Sequence, residues 1–381
     1  MHNVVMGSLG IPDAVLASAR QVADGIGRTA ADLGGALHVD ADEILTGRAA
    51  MLGIAPAGRI SAGGATRLLA TRDGWCALTL SRADDIETVP ALLESADQPA
   101  DVWGALESAA AERDMADFVG RARLLDLPAA ALGEIPAAAP RFTVRGPRAV
   151  RPLSQLLVAD LSSMWAGPLC GHVLAAAGAT VVKVESRERP DGTRSGDRRF
   201  YDWMNASKLS YATDFGDPEL RRLLEAADVV IESSRPAALA RRGLGAEQLA
   251  VRPGRVWLRI TGYGPEEKRA RRVAFGDDAA VAGGLVGEGP AFIGDAIADP
   301  LTGLTAAQSV LDALRRGGGA IIDVALAEVA ACYAAAAPSV SPVTDAVQPA
   351  KVPAPPPRPA AELGADNARV RDLVQDRLAP C

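Results

Sequence analysis

The chain has 381 residues, enough for two ordinary domains or one large interlocked unit. Hydrophobic residues make up 49% of it, aromatics only 4%, and no apolar run approaches the roughly 20 residues that span a bilayer, so a helix-rich soluble α/β protein is expected. A net charge of −7 argues against nucleic acid as main partner, and no basic flank precedes an apolar core near the start, which makes a cytoplasmic location the expectation.

Along the chain, residues 13–35 and 41–52 carry apolar positions at helical spacing. Two apolar runs flank Arg72-Asp-Gly74 and predict a β-hairpin turning at Asp-Gly. Helical patterns resume over 85–94 and 103–113, so residues 1–147 read as a small α+β domain ending in a Pro-containing stretch. Residues 148–335 have a different texture. Strands are predicted over 156–161, 180–185, 228–232, 255–261 and 320–325, with helices over 168–177, 218–226 and 300–316 between them. This alternation implies parallel strands joined by right-handed crossovers. The fold class expected is α/β, a doubly wound, mostly parallel, Rossmann-like sheet with a smaller α+β domain. A Pro/Ala-rich linker is expected over 336–360, and a last short helix within 361–381.

The stretch Ile293-Gly-Asp-Ala-Ile-Ala-Asp-Pro-Leu-Thr-Gly303 places Asp299 before Pro300 at a helix start. Asp at the N-cap with Pro at N1 is an ordinary way to begin a helix, and Asp217-Pro218 repeats it. Local pattern alone does not separate the two aspartates. Glycines 283, 284, 287, 289 and 294 lie upstream, either to bring backbone close to a substrate or merely to turn the chain. Ala166-Gly-Pro168 opens a helix after a strand, a place suited to an anion but without a full glycine-rich fingerprint. Arg187, Arg189, Arg194, Arg198 and Arg199 form either a phosphate-binding group or a solvated basic loop. Ser61-Ala-Gly-Gly-Ala65 is a flap or a simple loop. With three histidines and four widely spaced cysteines, neither a multi-His metal site nor a disulfide framework is expected, and His172 reads as a core or boundary residue.

The order of segments resembles the class III CoA-transferases (CaiB/BaiF type). The pieces that carry the likeness are Val158-Ala-Asp-Leu-Ser162 with Ala166-Gly-Pro168, Val182-Lys-Val-Glu185, Asn205-Ala-Ser-Lys208, Ala227-Asp-Val-Val-Ile-Glu232 with Arg235-Pro236, Arg241-Arg-Gly-Leu-Gly245, Ile260-Thr-Gly-Tyr-Gly-Pro265, Gly276-Asp-Asp278, Ile297-Ala-Asp299 and Asp323-Val-Ala-Leu326. The resemblance implies that Asp299 is a nucleophile. It would take the acyl group of an acyl-CoA as an anhydride and then CoA as a thioester, before a carboxylic acid enters and the steps reverse. It also implies a homodimer, CoA as substrate rather than prosthetic group, no metal, and CoA contacts at Ala166, Gly167, Arg187, Ser233, Arg241 and Asp278.

Residues 58–133 resemble the family's small domain, which usually follows the large-domain motifs; here it precedes them, as in a rearranged or permuted member. Ser186, Gly216 and Ser233-Ser234 stand where the family carries other residues at CoA contacts, and Arg187 is displaced by one. Asp277 stands where racemases of the superfamily carry a basic His, so a 2-methylacyl-CoA racemase is the weaker reading. A degenerate, non-catalytic CoA-binding protein or partner subunit is the competing one.

Overall fold

The computed structural model describes residues 9–234, 237–266, 268–337 and 350–379. Helices α1 (Asp13–Asp32) and α2 (Ala41–Leu52) come first. Strands β1 (Thr66–Ala70) and β2 (Trp75–Thr79) follow, then α3 (Ala83–Glu87), α4 (Val89–Leu93), α5 (Val102–Ala111), α6 (Met115–Leu124) and β3 (Ala129–Ala131). Next are β4 (Arg141–Val144), β5 (Leu157–Asp160), α7 (Ala166–Ala176), β6 (Thr180–Ser186), α8 (Arg198–Asn205), β7 (Leu209–Thr213), α9 (Pro218–Ala226) and β8 (Val229–Glu232). The chain continues through α10 (Ala237–Ala240), β9 (Val256–Thr261), α11 (Gly276–Ala282), α12 (Ala298–Arg315), β10 (Ala320–Ala325), α13 (Leu326–Ala336) and α14 (Asn367–Leu378).

The large sheet has the order β4-β10-β9-β8-β5-β6-β7. Its strands run parallel except β4, which pairs antiparallel with β10. The expected doubly wound sheet is therefore present, and the strand order reverses between β5 and β8. Its central strands are apolar on both faces because both are covered. Val158, Val229 and Ile231 point to one side, into a core with α1, α7, α12 and α13. Leu157, Ala159 and Val230 point to the other, against α9, α14 and the 239–249 segment. The hairpin forms with Ala70 opposite Trp75, and Thr71 N–H closes the turn on Gly74 O at 2.9 Å. The small sheet β1-β2-β3 sends Leu69, Cys76 and Leu78 towards the α4–α6 cluster and Leu68 and Ala77 towards Val281 of α11. Period two thus builds a two-sided layer that lies against the large domain.

The apolar cores do not part at residue 147. Val15, Leu16, Ile26 and Leu45 of α1 and α2 belong to the large core beside α12, and β4 extends the large sheet. Helical periodicity gives a helix's buried face but not its partner, which is why this was invisible in sequence. Within the 336–360 linker, residues 338–349 lie outside the described ones, as does the Arg235-Pro236 motif. From residue 350 the chain lies on α2 and α8, with Lys351 N–H donating to Thr46 Oγ1 (3.1 Å) and Ala360 N–H to Asp202 (2.9 Å). Asp366 and Asn367 accept the Ser210 and Ala212 N–H groups (2.8 and 2.9 Å), which closes the β7 edge before α14. Cys76, Cys170 and Cys332 are free thiols, and no helix among the described residues is long and apolar enough to cross a membrane.

Candidate active site

A cavity of about 490 Å³ opens at the carboxyl ends of β5, β8 and β9, where the strand order reverses. That is where an open parallel sheet leaves a crevice, because the crossovers on either side diverge. Asp299 lines it. It stands inside the first turn of α12, whose N-cap is Ile297, with no side-chain cap at all. Its carboxylate instead faces the Ala166 N–H at the start of α7, which favours its ionised form. Asp217 does the other job: it caps α9 by accepting the Glu219 N–H at 2.9 Å. The two aspartates that look alike in sequence are thus separated by where their oxygens point.

Glycines set this geometry. A Cβ on Gly303, one turn beyond Asp299, would lie 2.6 Å from Leu169 Cδ2 and 2.9 Å from Ala166 O. Only a bare backbone lets α12 come this close to α7, and the approach carries Asp299 to the Ala166 N–H. A Cβ on Gly276 would lie 2.4 Å from Asp299 Oδ2, so α11 also reaches the carboxylate through a glycine. Gly167 packs on Ser162, where a Cβ would fall 2.2 Å from the serine Cβ. Two non-glycine residues with positive φ, Met164 (72°) and Ala296 (43°), line the same cavity. Backbone strain of this kind persists where the surroundings over-determine it.

Three more side chains complete the electrostatics. Arg48 of α2 binds Asp295 through two contacts of 2.6 Å and sits over the rings of Trp165 (5.5 Å) and Phe200 (5.4 Å). Burial pushes Asp299 up to about 7, and Asp277 pushes it the same way against the pull of Arg48 and the Ala166 N–H. Asp277 is likewise pushed up to about 7, first by burial and then by Asp295 and Asp278, while Ser61 and the Ala296 N–H (3.1 Å) hold it back. Burial also raises Asp295, with Arg48 opposing. A carboxylate partly stripped of water is a better nucleophile than a hydrated one, and the Ala166 N–H aims it.

Around the cavity, buried ion pairs fix the loop that follows β5. Lys208 gives its three protons to Asp160 (2.8 Å), Pro168 O (2.8 Å) and Asn205 (3.0 Å), all in the interior. Lys183 holds Asp191 at 2.7 Å and also donates to Ser162 O; Asp191 in turn accepts the Met164 N–H at 3.2 Å. The motifs around Lys183 and Lys208 therefore act as scaffold for the start of α7.

Residues 153–358 match the sequence model described as CoA-transferase family III. The chain belongs to that family. Among family relatives, a succinyl-CoA–D-citramalate CoA-transferase of Chloroflexus aurantiacus is 34% identical over 203 residues, covering 48% of this chain and 50% of that protein. A succinate–glutarate CoA-transferase of Agrobacterium fabrum is 35% identical over 208 residues, covering 47% and 52%. A solved CAIB/BAIF family protein from Brucella suis is 32% identical, covering 49% of this chain and 55% of that one, at a TM-score of 0.44. The chain spans about half the length of the relatives it matches.

Of the positions the family resemblance pointed to, Ala166, Gly167 and Ser233 line the cavity with Asp299, and Ser233 Oγ accepts the Ser163 N–H at 3.2 Å. Arg187 and Arg241 are exposed and outside its lining. Asp278 lies behind the lining, its carboxylate taken up by Tyr263 OH (2.5 Å), Phe275 N–H (2.9 Å) and Thr79 (3.2 Å). Its role here is to tie α11 to the small sheet. Nor do glycines 283, 284, 287, 289 or 294 line the cavity; Gly63, Gly192, Gly196, Gly262 and Gly276 do. Of the basic group after β6, Arg194 is spent on Glu185 (2.7 Å), and Arg198 and Arg199 on Asp202 (2.7 Å) and Asp197 (2.6 Å). Sequence reading missed Arg48 and Trp165. Asp295, four residues before Asp299, was within reach of it; Arg48, 247 residues from its partner, was not.

Proposed function

We propose that this chain moves CoA from an acyl-CoA thioester to a carboxylic acid, with Asp299 as the acyl- and CoA-carrying nucleophile. The observation that carries the reading is that Asp299 is spared from capping its helix and is turned instead to the cavity and the Ala166 N–H. A carboxylate oxygen adds to the thioester carbonyl, the C–S bond breaks, and CoA leaves as thiolate. The thiolate then attacks the Asp299 carbonyl of the anhydride, expelling the donor acid and leaving an aspartyl-CoA thioester. The acceptor carboxylate reverses both steps, and no net proton is consumed. Family membership and the names of the relatives support CoA transfer as the reaction type.

Ala166, Gly167 and Ser233 are proposed to contact the thioester end of CoA, with Arg187 and Arg241 meeting its phosphates outside the cavity. Incubation with a panel of acyl-CoAs followed by peptide mass analysis tests the reading: a CoA-sized adduct on Asp299 is expected, and its absence throughout the panel counts for a non-catalytic CoA-binding protein. A homodimer in the cytoplasm belongs to the same proposal, and light scattering of the purified chain tests the dimer.

A further inference from the structure

Asp277 is a carboxyl that the transfer steps leave unused, yet it lines the same cavity as Asp299. It opens α11 directly after Gly276, the glycine on which a Cβ would lie 2.4 Å from Asp299 Oδ2. Its oxygens are met by the Ala296 N–H (3.1 Å) and by Thr66 Oγ1 (3.4 Å), with the Ser61 hydroxyl also favouring the ionised form. Three further acids stand round it. Asp278 is its neighbour on α11, and Asp295 and Asp299 come from the segment that enters α12. Arg48 is the one Lys or Arg among the described lining residues, and it is bound to Asp295. The small sheet contributes hydroxyls, and Glu328 of α13 is taken by Arg141 at 3.0 Å. Behind the lining Arg272 acts on Asp278, and two guanidiniums against these four carboxyls do not keep all of them ionised. A second feature points to a ligand: the Trp165 indole N–H is buried in the lining and has no partner among the described residues.

Resting on the reading that Asp299 attacks a thioester, we infer that Asp277 is a second catalytic residue, which in its protonated form donates a hydrogen bond to the thioester oxygen as that oxygen becomes an oxyanion. As the Asp299 oxygen bonds to the carbonyl carbon, the C=O electron pair moves to oxygen and is met by the Asp277 O–H. When the intermediate collapses, the C=O re-forms, the C–S bond breaks, CoA leaves as thiolate and the proton stays on Asp277. The proton is lent and returned, so the step balances without any further reactant. Burial and Asp277 raise Asp299, and burial with Asp295 and Asp278 raises Asp277, an arrangement that favours one carboxyl ionised as nucleophile while the other keeps its proton as donor.

The test is the rate of adduct formation on Asp299 as a function of pH in the wild type and two variants. The wild type gives a bell: ionisation of Asp299 builds the rising limb, and loss of the Asp277 proton the falling one. Asp277→Asn keeps a donor that cannot ionise. It should stay within a few-fold of wild type at the optimum, lose the falling limb, and shift the rising limb to lower pH. Asp277→Ala removes the donor and should slow adduct formation by roughly a hundredfold or more. Both variants must keep the wild-type circular dichroism. Asp277→Ala reacting like wild type, or a folded Asp277→Asn as slow as Asp277→Ala, overturns the inference while the Asp299 reading stands. No adduct on the wild type overturns both.

Discussion

Gly303→Ala adds one methyl where α12 meets α7, and the geometry gives the size of the effect. The new Cβ would lie 2.6 Å from Leu169 Cδ2, 2.9 Å from Leu169 Cβ and 2.9 Å from Ala166 O. A leucine tip can rotate away, but a Cβ and a carbonyl oxygen move only with their helix. Restoring ordinary contact near 3.5 Å requires the helices to part by about half an ångström. Alanine gains up to about 1 kcal/mol of helix propensity over glycine, while overpacking costs about 1–3 kcal/mol, so overpacking wins. The variant should unfold at lower urea by an amount equivalent to about 1–2 kcal/mol. It should lose more in chemistry than in stability. The same displacement draws Asp299 from the Ala166 N–H, and a misplacement approaching 1 Å costs up to about a hundredfold in rate. The assays are urea denaturation followed by circular dichroism and the rate of adduct formation on Asp299. A Gly303→Ala protein that is more stable and equally reactive would refute the claim that this close approach aims the carboxylate.

Lys208→Met leaves Asp160 buried without its cation and should destabilise by about 3–5 kcal/mol in urea, with Asp160→Asn in the same chain recovering part of the loss. Arg48→Leu strips Asp295 in the same way; it also removes a charge that lowers Asp299, so the rising limb of adduct formation should move to higher pH. Asp299→Asn tests linkage. The folded state holds the Asp299 proton up to about 7, whereas the unfolded chain releases it near 3.8, so this group's contribution to stability falls as pH rises between those values. The Asn variant should therefore gain stability over wild type at pH 8 relative to pH 4, by at most about 4 kcal/mol, read as the difference in thermal midpoint.

Much of the large domain was legible because its strands are covered on both faces and read as short apolar runs between helical patterns. β5, β6, β8, β9 and β10 fall within a residue or so of the expected spans. α8 and α11 were not legible. Arg198 and Arg199 made α8 look like a basic loop, and α11 is too short for a helical period to show. Asp299 emerged from resemblance, since its local pattern equals that of Asp217; what distinguishes it is an N–H from another helix, set by Gly303 and Leu169. Such tertiary contacts leave no periodic trace. The glycines ahead of Asp299, whose pattern left substrate approach and chain turning equally open, lie outside the cavity lining. The site uses glycine where two elements cross, at Gly276 and Gly303, rather than in the glycine-rich loop ahead of Asp299.

The passage of an acceptor oxygen through Asp299 is the most direct test. With both acceptor carboxylate oxygens carrying a heavy isotope, the bridging oxygen of the second anhydride is labelled, and thiolate attack on the acyl carbon leaves it on the aspartate. After a single turnover with an acyl-CoA, the account predicts one heavy oxygen in the peptide containing Asp299, rising towards two over repeated turnovers, and none in the same peptide when the acyl-CoA is withheld. Product formed with that peptide unlabelled would contradict it.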